Sequence, residues 1–383
     1  MTNSTTNFGN NEFNNANGLN PIIFSKKVAL AYTKKSKILD LLTNDMWEGE
    51  IKNQGDRVRI VLPNLDSITI GDGDMCPMPG SIDPEALDLV IDKQKSFRFD
   101  ISDKQKAQTQ FKNIEDGYAN AVAQKIAVAR AAEVERAIFE YIPGTKYAAD
   151  TALPGSTTVE QGYNFTVYDP AKHPLAGDFG TDAAPLDITP QNAYSFMLKV
   201  KMALLDSGAI ADDGTYDFKP LDQEAQDMRA VFVCGTRLAA ILLQAYQLAG
   251  RSTAAGDMVV QDGVVKRVAG LEVHIDRVLD TITTTKGNGT VDAGDSTRKA
   301  FANLPFIAGT KNAITKASQI SKVEKQRDPY CFNDIIKGME LYGFKILHPE
   351  ALVRGVAKKY DLEDINAAVP VVVEGTVTTD AGA

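Results

Sequence analysis

Few residues in this sequence have the types and spacing that catalysis or metal binding requires. The histidines His173, His274 and His348 each stand alone, and a lone histidine is more often packed or solvated than catalytic. The sequence contains no phosphate-binding glycine loop, no H-E-x-x-H zinc motif and no G-x-S-x-G nucleophile motif. We therefore predict no catalytic residue, no metal site and no cofactor, and we do not expect an enzyme.

Two carboxylates flank a glycine at Asp72-Gly73-Asp74, which resembles the beginning of a calcium-binding loop. Such a loop needs further oxygen ligands at fixed offsets and a glutamate at its twelfth position. Cys76 and Pro77 follow instead. A turn at the tip of a hairpin is therefore the favoured interpretation.

The composition excludes several classes of protein. The 383 residues include 41 Lys and Arg against 50 Asp and Glu, which gives a net charge of −9. A dedicated nucleic-acid-binding domain is usually basic, although an acidic protein can still surround nucleic acid. The three cysteines lie far apart and predict no disulfide framework, and no apolar run reaches the ~18 residues of a membrane span. We expect a soluble protein, synthesised in a cytoplasm, with no membrane partner.

The first 48 residues have the pattern of an N-terminal arm. Residues 1–20 are polar and rich in asparagine, a composition that buries too little apolar surface to fold. Residues 21–48 combine apolar side chains with lysines. This basic amphipathic segment is either a solvated helix face or a contact for nucleic acid or an acidic neighbouring surface. The contact residues would be Phe24, Lys26, Lys27, Lys34 and Lys35.

Residues 49–101 have the pattern of a long β-hairpin. Apolar and polar residues alternate on both arms, which places the apolar set on one face. The return arm, residues 87–101, is predicted to be one continuous strand of about 50 Å at ~3.3 Å per residue. The apolar set comprises Val58, Ile60, Leu62, Leu87, Leu89, Ile91, Phe97 and Phe99.

The apolar face of this hairpin needs a cover, because an isolated two-stranded ribbon is marginal in water. No segment adjacent in sequence supplies one, so another copy of the chain is the simplest cover. Lys93 and Lys95 interrupt the apolar face. They either pair with acidic groups of another subunit or extend their alkyl stems over apolar surface.

A long helix is predicted directly after the hairpin, over residues 102–142. Ser102 and Gln105 have the spacing of a capping box, and apolar residues then recur at helical intervals until Pro143. About forty residues at ~1.5 Å each would give a helix of roughly 60 Å.

The remaining sequence mixes helices and strands. Residues 143–188 are rich in turn-forming residues and are predicted to be an insertion or irregular segment. Residues 189–335 contain two helical patterns, a short buried strand and a hairpin around Gly270. A closing strand is predicted within residues 336–358, followed by a tail over residues 359–383.

The order of these elements resembles that of the major capsid proteins of tailed bacteriophages, the Hong Kong 97 type of fold. Residues 49–60 (GEIKNQGDRVRI) are similar to the start of that family's E-loop hairpin. Residues 262–274 (DGVVKRVAGLEVH) resemble a hairpin of its axial domain, and residues 337–350 (KGMELYGFKILHPE) resemble the closing strand of its peripheral domain. The resemblance covers approximately residues 20–358 and has the podovirus coat proteins as its nearest type.

This resemblance implies an α+β fold with an N-terminal arm over residues 1–48, a long E-loop hairpin over 49–101 and a long spine helix over 102–142. The spine helix would belong to a peripheral domain that ends with the closing strand. An axial domain, with part of the peripheral domain, would occupy residues 189–335.

The function implied by the resemblance is structural. Many copies would form pentamers and hexamers that close into an icosahedral virion shell around packaged double-stranded DNA, touching it loosely. Implied partners are a separate scaffolding protein, a portal and decoration proteins. The arm residues and the hairpin face, including Lys93 and Lys95, would be inter-subunit contacts.

Three other functions remain open at this point. An encapsulin-type compartment shares the fold and encloses protein cargo. An enzyme with an unrecognised site would be a monomer or small oligomer with a deep polar pocket. A tail component would form rings, tubes or fibres.

Overall fold

The computed structural model describes residues 36–47, 57–62, 85–103, 114–141, 159–160, 163–164, 166–167, 173–218, 226–250, 260–261, 264–265 and 267–360. Few helices and many strands make it an α+β fold, as predicted. Several predictions lie outside the described residues: the hairpin tip, the tail from residue 361, and the arm contacts Phe24, Lys26, Lys27, Lys34 and Lys35.

Four helices and 21 strands are present in the described ranges. The helices are α1 (Ile38–Leu41), α2 (Ile114–Glu140), α3 (Ala193–Asp206) and α4 (Thr236–Gly250), with 3-10 turns at Leu279–Thr281 and Pro349–Ala351. The strands are β1 (Thr43–Asn44), β2 (Arg57–Leu62), β3 (Glu85–Val90), β4 (Lys93–Ser102), β5 (Val159–Glu160), β6 (Tyr163–Asn164), β7 (Thr166–Val167), β8 (Gly177–Phe179), β9 (Thr215–Phe218), β10 (Gln226–Arg229), β11 (Val231–Cys234), β12 (Val260–Gln261), β13 (Val264–Val265), β14 (Arg267–Val268), β15 (Leu271–Ile275), β16 (Thr283–Thr284), β17 (Lys299–Ala300), β18 (Leu304–Gly309), β19 (Ile314–Arg327), β20 (Asn333–Ile346) and β21 (Leu352–Ala357).

A six-stranded mixed sheet, ordered β14-β15-β11-β18-β21-β8, forms the centre of the fold. Strands β11 and β18 are buried along their whole length, as expected when both faces of a sheet are covered. Because successive side chains point to opposite faces, Phe232 and Phe306 pack with α3 and α4. Val233 and Ile307 pack with α1 and α2 on the other side.

A four-stranded sheet, ordered β1-β19-β20-β4, extends beside this core. Its two central strands have 14 residues each and run antiparallel. Strand β4 runs antiparallel to β20, with Lys93 opposite Tyr342 and Ser102 opposite Asn333. Most of β4 alternates between exposed and half-buried residues, so this sheet is covered far less completely than the six-stranded one.

The single strand predicted over residues 87–101 is wrong, because the chain forms two strands there. Strand β3 pairs with β2, whereas β4 pairs with β20. The strands join beside Gly343, where a Cβ atom would lie only 2.1 Å from the carbonyl oxygen of Val90. Glycine thus lets the backbone pass from one sheet to the other, and the side-chain alternation continues across the joint without marking it.

The long helix following the hairpin is described from Ile114 to Glu140. Its end agrees with the stop expected before Pro143. Ser102 is the last residue of β4, and Asp103 beside it is helical, but Gln105 of the predicted capping box lies outside the described residues.

Arg354 of β21 holds the C-terminal end of α2. Its guanidinium donates hydrogen bonds to the carbonyl oxygens of Ile138 and Phe139, both at 2.9 Å, and of Tyr141 at 2.6 Å. The last carbonyls of a helix have no partner within the helix, so this buried cation satisfies them. Asp178 of β8 accepts from the same guanidinium at 2.7 Å and balances its charge.

Two sequence predictions about the later chain are corrected. The end of the segment predicted to be irregular, residues 143–188, contributes β8 to the central sheet, parallel to β21, and Ile188 is fully buried. The predicted closing strand is two strands, β20 and β21, which belong to different sheets.

The predicted hairpin around Gly270 is confirmed. Strands β14 and β15 pair antiparallel on either side of Ala269 and Gly270. Both turn residues have positive φ angles, 51° and 92°, as a two-residue hairpin turn requires.

Candidate assembly surface

Charged and aromatic side chains join helix α2 to the outer sheet. We call this network the clasp, and it consists of Lys93, Lys95, Arg130, Glu133, Glu340 and Tyr342. The two lysines come from β4, Arg130 and Glu133 from α2, and the remaining two from β20. The clasp therefore positions β4 against the long helix.

Glu133 is the centre of the clasp. One carboxylate oxygen contacts the ammonium of Lys95, while the other accepts a 2.6 Å hydrogen bond from the hydroxyl of Tyr342 and lies 3.9 Å from Lys93 Nζ. Burial alone would raise the pKa of Glu133, but the bonds from Lys95 and Tyr342 hold that pKa below its ordinary value. The pKa of Tyr342 is raised by burial and by its bond to Glu133.

Two cations of the clasp also lie over aromatic rings. Lys93 Nζ is 4.0 Å from the ring centroid of Phe344, and the Arg130 guanidinium is 5.1 Å from that of Tyr342. Arg130 also forms an ion pair with Glu340. The structure thus provides one acidic partner, Glu133, for both Lys93 and Lys95 within their own chain, an arrangement that neither sequence-based alternative anticipated.

The base of the hairpin is covered by its own subunit. Ile60, Leu87 and Leu89 are buried and pack in one cluster with Ala317 and Leu347. For these three residues, the prediction that the cover must come from another copy is corrected. Segments distant in sequence supply it, and sequence spacing does not reveal such contacts.

The other hairpin residues are less enclosed. Val58, Leu62 and Ile91 are partly buried at the edge of the same cluster. Phe97 and Phe99 are half-buried on β4, with their rings stacked at a centroid distance of 6.2 Å. These five residues keep apolar surface that a neighbouring molecule can contact.

The turn between β19 and β20 presents two aromatic side chains to solvent. Tyr330 is 94% exposed and Phe332 is 82% exposed, with Cys331 exposed between them. The backbone N–H of Tyr330 donates to the Asp328 carboxylate at 2.9 Å, which fixes the turn. Sequence reasoning missed this feature, although two aromatic residues directly after Asp328-Pro329 were its available signal.

Helix α3 carries a second exposed apolar feature. Tyr194, Leu198 and Met202 follow one another at intervals of four residues and are all exposed. Residues four apart lie on the same face of a helix, so the three form a continuous stripe. Their spacing was visible in the sequence, but the sequence does not say which helix face is buried.

Each of the three histidines lies close to a glutamate side chain. His348 lies 3.2 Å and His173 lies 3.7 Å from the carboxylate of Glu350. Burial lowers the pKa of His274, which lies on β15 beside Glu272. Within the part of the chain that the structure describes, no cluster of His, Cys, Asp and Glu could hold a metal ion.

A polar cavity of about 590 Å³ lies beside His348 and Glu350, with Tyr216 and Asp217 also lining it. The hydroxyl oxygen of Tyr216 accepts a hydrogen bond from the backbone N–H of Lys311 at 2.8 Å. Burial raises the pKa of Tyr216 to about 12.

Of the described helices, none is both long and apolar enough to span a membrane.

No protein-family model matches this sequence, and no curated protein is significantly similar to it. Solved structures nevertheless share its fold. A chain from Mycobacterium phage Che8 is 19% identical, with 90% of this chain and 98% of that chain covered and a TM-score of 0.59.

Two capsid chains of cyanophages are similar to the same extent. The capsid structure of P-SCSP1u is 14% identical, covering 92% of this chain and 100% of that chain at a TM-score of 0.59. The capsid asymmetric unit of Pam1 is 14% identical, covering 90% and 98% at a TM-score of 0.58. At such identities the likeness establishes a shared fold, and it extends over nearly the whole of each chain.

Proposed function

We propose that this protein is the shell-forming major capsid protein of a tailed bacteriophage, with a structural and not an enzymatic role. The observation that carries the proposal is the match to phage capsid chains over at least 90% of this chain. A likeness that spans sheets and helices over most of the chain supports a common architecture rather than one shared domain. The charge of −9 also suits a container, because tight neutralisation of DNA phosphates would oppose filling and release.

The proposal assigns a role to each part of the chain. Residues 1–48 form the arm that reaches adjacent subunits, and residues 49–101 form the E-loop. Residues 102–142 include the spine helix, and residues 143–188 remain an insertion except where β8 joins the central sheet. The axial domain lies within 189–335, and 336–358 closes the peripheral domain.

Copies of the subunit assemble, in this proposal, into pentamers and hexamers of an icosahedral shell around double-stranded DNA. The protein is synthesised in the bacterial cytoplasm and ends in the virion, without a membrane. Its partners are further copies, a separate scaffolding protein, a portal and decoration proteins, with loose contact to DNA.

We propose as inter-subunit contacts those residues whose side chains the subunit itself leaves partly exposed. On the hairpin and β4 they are Val58, Leu62, Ile91, Phe97 and Phe99, together with the exposed parts of Lys93 and Lys95. Ile60, Leu87 and Leu89 instead support the hairpin from inside the subunit. In the arm, Phe24, Lys26, Lys27, Lys34 and Lys35 complete the set.

Electron microscopy of the purified protein, alone and co-expressed with proteins encoded beside its gene, tests the proposal. Closed shells of uniform size are the expected result. A monodisperse small oligomer that never assembles would refute it, and rings, tubes or fibres would indicate a tail component. Shells that purify with a protein cargo and without DNA-packaging partners would indicate an encapsulin-type compartment instead.

A further inference from the structure

Helix α3 has two apolar faces, of which the described part of the chain covers one. Met197 and Val200 are fully buried in the largest core cluster. Tyr194, Leu198 and Met202, which we call the α3 stripe, are 52%, 38% and 53% exposed. The α3 stripe is therefore a second apolar face on a helix that already packs well against the core.

The α3 stripe is small compared with the surface that a separate protein partner needs. Side chains of this size bury at most about 250 Å² each, and these three are at most about half exposed. The stripe thus offers far less than the ~800 Å² that each partner contributes to a typical stable interface. A segment tethered close by needs less area, because the tether gives it a high effective concentration at the stripe.

The described chain ends beside the start of α3. After β21, the backbone N–H of Lys358 donates to the carbonyl of Leu186 at 2.8 Å, and the hydroxyl of Tyr360 donates to the carboxylate of Asp187. The carbonyl of Asp187 accepts in turn from the side-chain amide of Asn192 at 2.9 Å, the residue directly before α3. The residues that follow Tyr360 therefore begin next to the first turn of this helix.

The sequence directly after Tyr360 has the pattern of a short amphipathic helix. Leu362, Ile365 and Val369 have the i, i+3, i+7 spacing that places side chains on one helix face. Asp361 is of a type that caps helices, and Pro370 disfavours the helical conformation at the residue before it. The pattern predicts a helix over residues 361–369.

This segment and the α3 stripe match in length. The seven residue steps from Leu362 to Val369 rise about 10 Å in a helix at ~1.5 Å each. The eight steps from Tyr194 to Met202 rise about 12 Å at the same pitch. Three apolar side chains on each element can therefore face one another along the whole stripe.

The charges of the two elements also differ in sign. Residues 361–369 contain three carboxylates and no Lys, Arg or His. Helix α3 carries Lys199 and Lys201 next to its stripe, and its single carboxylate, Asp206, is its last residue. Since exposed ion pairs contribute little, the charges favour the pairing only slightly and the apolar contact supplies most of its stability.

We propose that residues 361–369 pack as an amphipathic helix on the α3 stripe of their own chain. Because the chain arrives at the first turn of α3, Leu362 would lie nearest Tyr194 and Val369 nearest Met202. The segment would complete the cover of α3 within the subunit. This inference goes beyond the proposed shell function and does not depend on it, since the unassembled subunit is sufficient to test it.

Photo-cross-linking from the stripe tests the contact directly. Leu198→p-benzoylphenylalanine places a photoreactive group at the centre of the stripe, and linked peptides are identified by mass spectrometry. Unassembled subunits labelled with ¹⁴N and ¹⁵N are mixed before irradiation. We expect single-isotope links from position 198 to residues 361–369. Val61→p-benzoylphenylalanine, at a similarly exposed position of β2, is the control and should form no such link.

Three results of that experiment would overturn the inference. Links from position 198 only to other parts of the chain would show that a different segment covers the stripe. Links to residues 361–369 that carry both isotopes would show that the tail packs on a second copy. No links at all would show that the stripe stays uncovered.

Thiol labelling gives an independent measurement of the same cover. The substitutions C76S and C331S leave Cys234, which is buried, as the only native thiol. In this background, Leu198→Cys introduces a thiol into the stripe, and its rate of reaction with a maleimide reports how often the stripe is open to solvent. The same background with Val61→Cys serves as the reference site.

Two matched substitutions in the tail then separate the contact from a general effect of charge. Ile365→Asp should raise the labelling rate at position 198 by about tenfold, because the segment loses its central apolar side chain. Val372→Asp places the same charge beyond Pro370 and should leave that rate unchanged. Labelling at position 61 should be the same in both variants.

Equal labelling rates at position 198 in the two tail variants would contradict the contact. A rate that rises equally at positions 198 and 61 would also count against it, because the tail would then act on the whole subunit. Thermal unfolding of each variant confirms that the subunit stays folded. If the protein forms no shells, the proposed function fails and this contact stands; shells from subunits whose stripe is fully accessible refute only the contact.

Discussion

The six-stranded sheet and the four-stranded sheet differ sharply in composition and in how far the subunit buries them. In the six-stranded sheet, β11, β18 and β21 are buried on both faces by helices of the same chain. In the four-stranded sheet, β4 leaves nearly every second residue exposed and most of the others half-buried. The first sheet is closed by contacts within the subunit, whereas the second leaves apolar surface and charge exposed.

Truncating an aromatic residue in the central sheet should cause the largest loss in the free energy of unfolding. Phe306 is fully buried and packs against Phe196 and Phe232. Phe306→Ala should lower the free energy of unfolding of the unassembled subunit by about 3–5 kcal/mol. The matched change Phe97→Ala in the outer sheet should cost clearly less, and equal losses in urea titrations would remove the distinction between the two sheets.

Removing the cation at the end of α2 should have the next largest effect. Arg354→Met leaves the carbonyls of Ile138, Phe139 and Tyr141 buried without their donor. We expect a loss of about 3 kcal/mol in the free energy of unfolding. Arg59→Met, which removes a more exposed ion pair with Asp88, is the control and should cost under about 1 kcal/mol; similar losses for the two variants would contradict the role of Arg354.

A buried carboxyl group should make the stability of the subunit depend on pH. Glu135 of α2 is 0% exposed, and neither of its carboxyl oxygens has a hydrogen-bond partner among the residues that the structure describes. Burial, with Asp276 nearby, raises the pKa of Glu135 well above its ordinary value. Above the unfolded pKa the unfolded chain releases this proton while the folded one keeps it. Stability should therefore fall as pH rises towards the folded pKa, by up to about 1.4 kcal/mol per pH unit.

Glu135→Gln isolates that dependence. The variant should be more stable than wild type at pH 8, and the advantage should vanish near pH 4, where the glutamate is protonated in both states. Urea titrations at several pH values measure the difference. A stability difference that does not change with pH would show that Glu135 is ionised in the folded protein.

Charged substitutions on β4 should have a small effect on the subunit and a large one on assembly. Phe97→Asp and Phe99→Asp replace half-buried rings, and we expect a loss of about 1 kcal/mol in the free energy of unfolding. Assembly, followed by electron microscopy, should fail because the apolar contact surface is lost. Ser96→Asp places the same charge at an exposed position of β4 as a control, and normal shells from both phenylalanine variants would refute this interface.

The exposed aromatic turn should contribute least to folding. Tyr330→Ser and Phe332→Ser remove side chains that contact mostly solvent, so the free energy of unfolding should change by less than about 0.5 kcal/mol. Thermal unfolding of the isolated subunit measures this. A larger loss would mean that the outer sheet depends on its turn for stability.

The sequence predicts local features of this fold better than it predicts which strands pair with each other. Alternation of apolar residues identifies the faces of β3 and β4, and Ala269-Gly270 predicts a hairpin that the structure confirms. The alternation cannot show that β3 and β4 pair with different strands, because side chains keep the same period across their joint. The irregular composition of residues 143–188 likewise conceals β8, a strand of only 3 residues whose partner is far along the chain.

The same limit applies to the candidate site. Lys93 and Lys95 are conspicuous because they interrupt an apolar face, but their partner Glu133 lies on a helix some forty residues later. Arg130 and Tyr342 give no sequence signal at all, since residues of these types are common. Their convergence in the clasp follows from packing between α2 and the outer sheet, which sequence spacing does not encode.

Gly343 lies where the chain passes from β3 to β4. The carbonyl oxygen of Val90 occupies the space that any side chain at position 343 would need. Directly before this joint comes β3, which pairs with β2 along all six of its residues. The direction in which this strand pair leaves the outer sheet is thus set where one residue has no side chain.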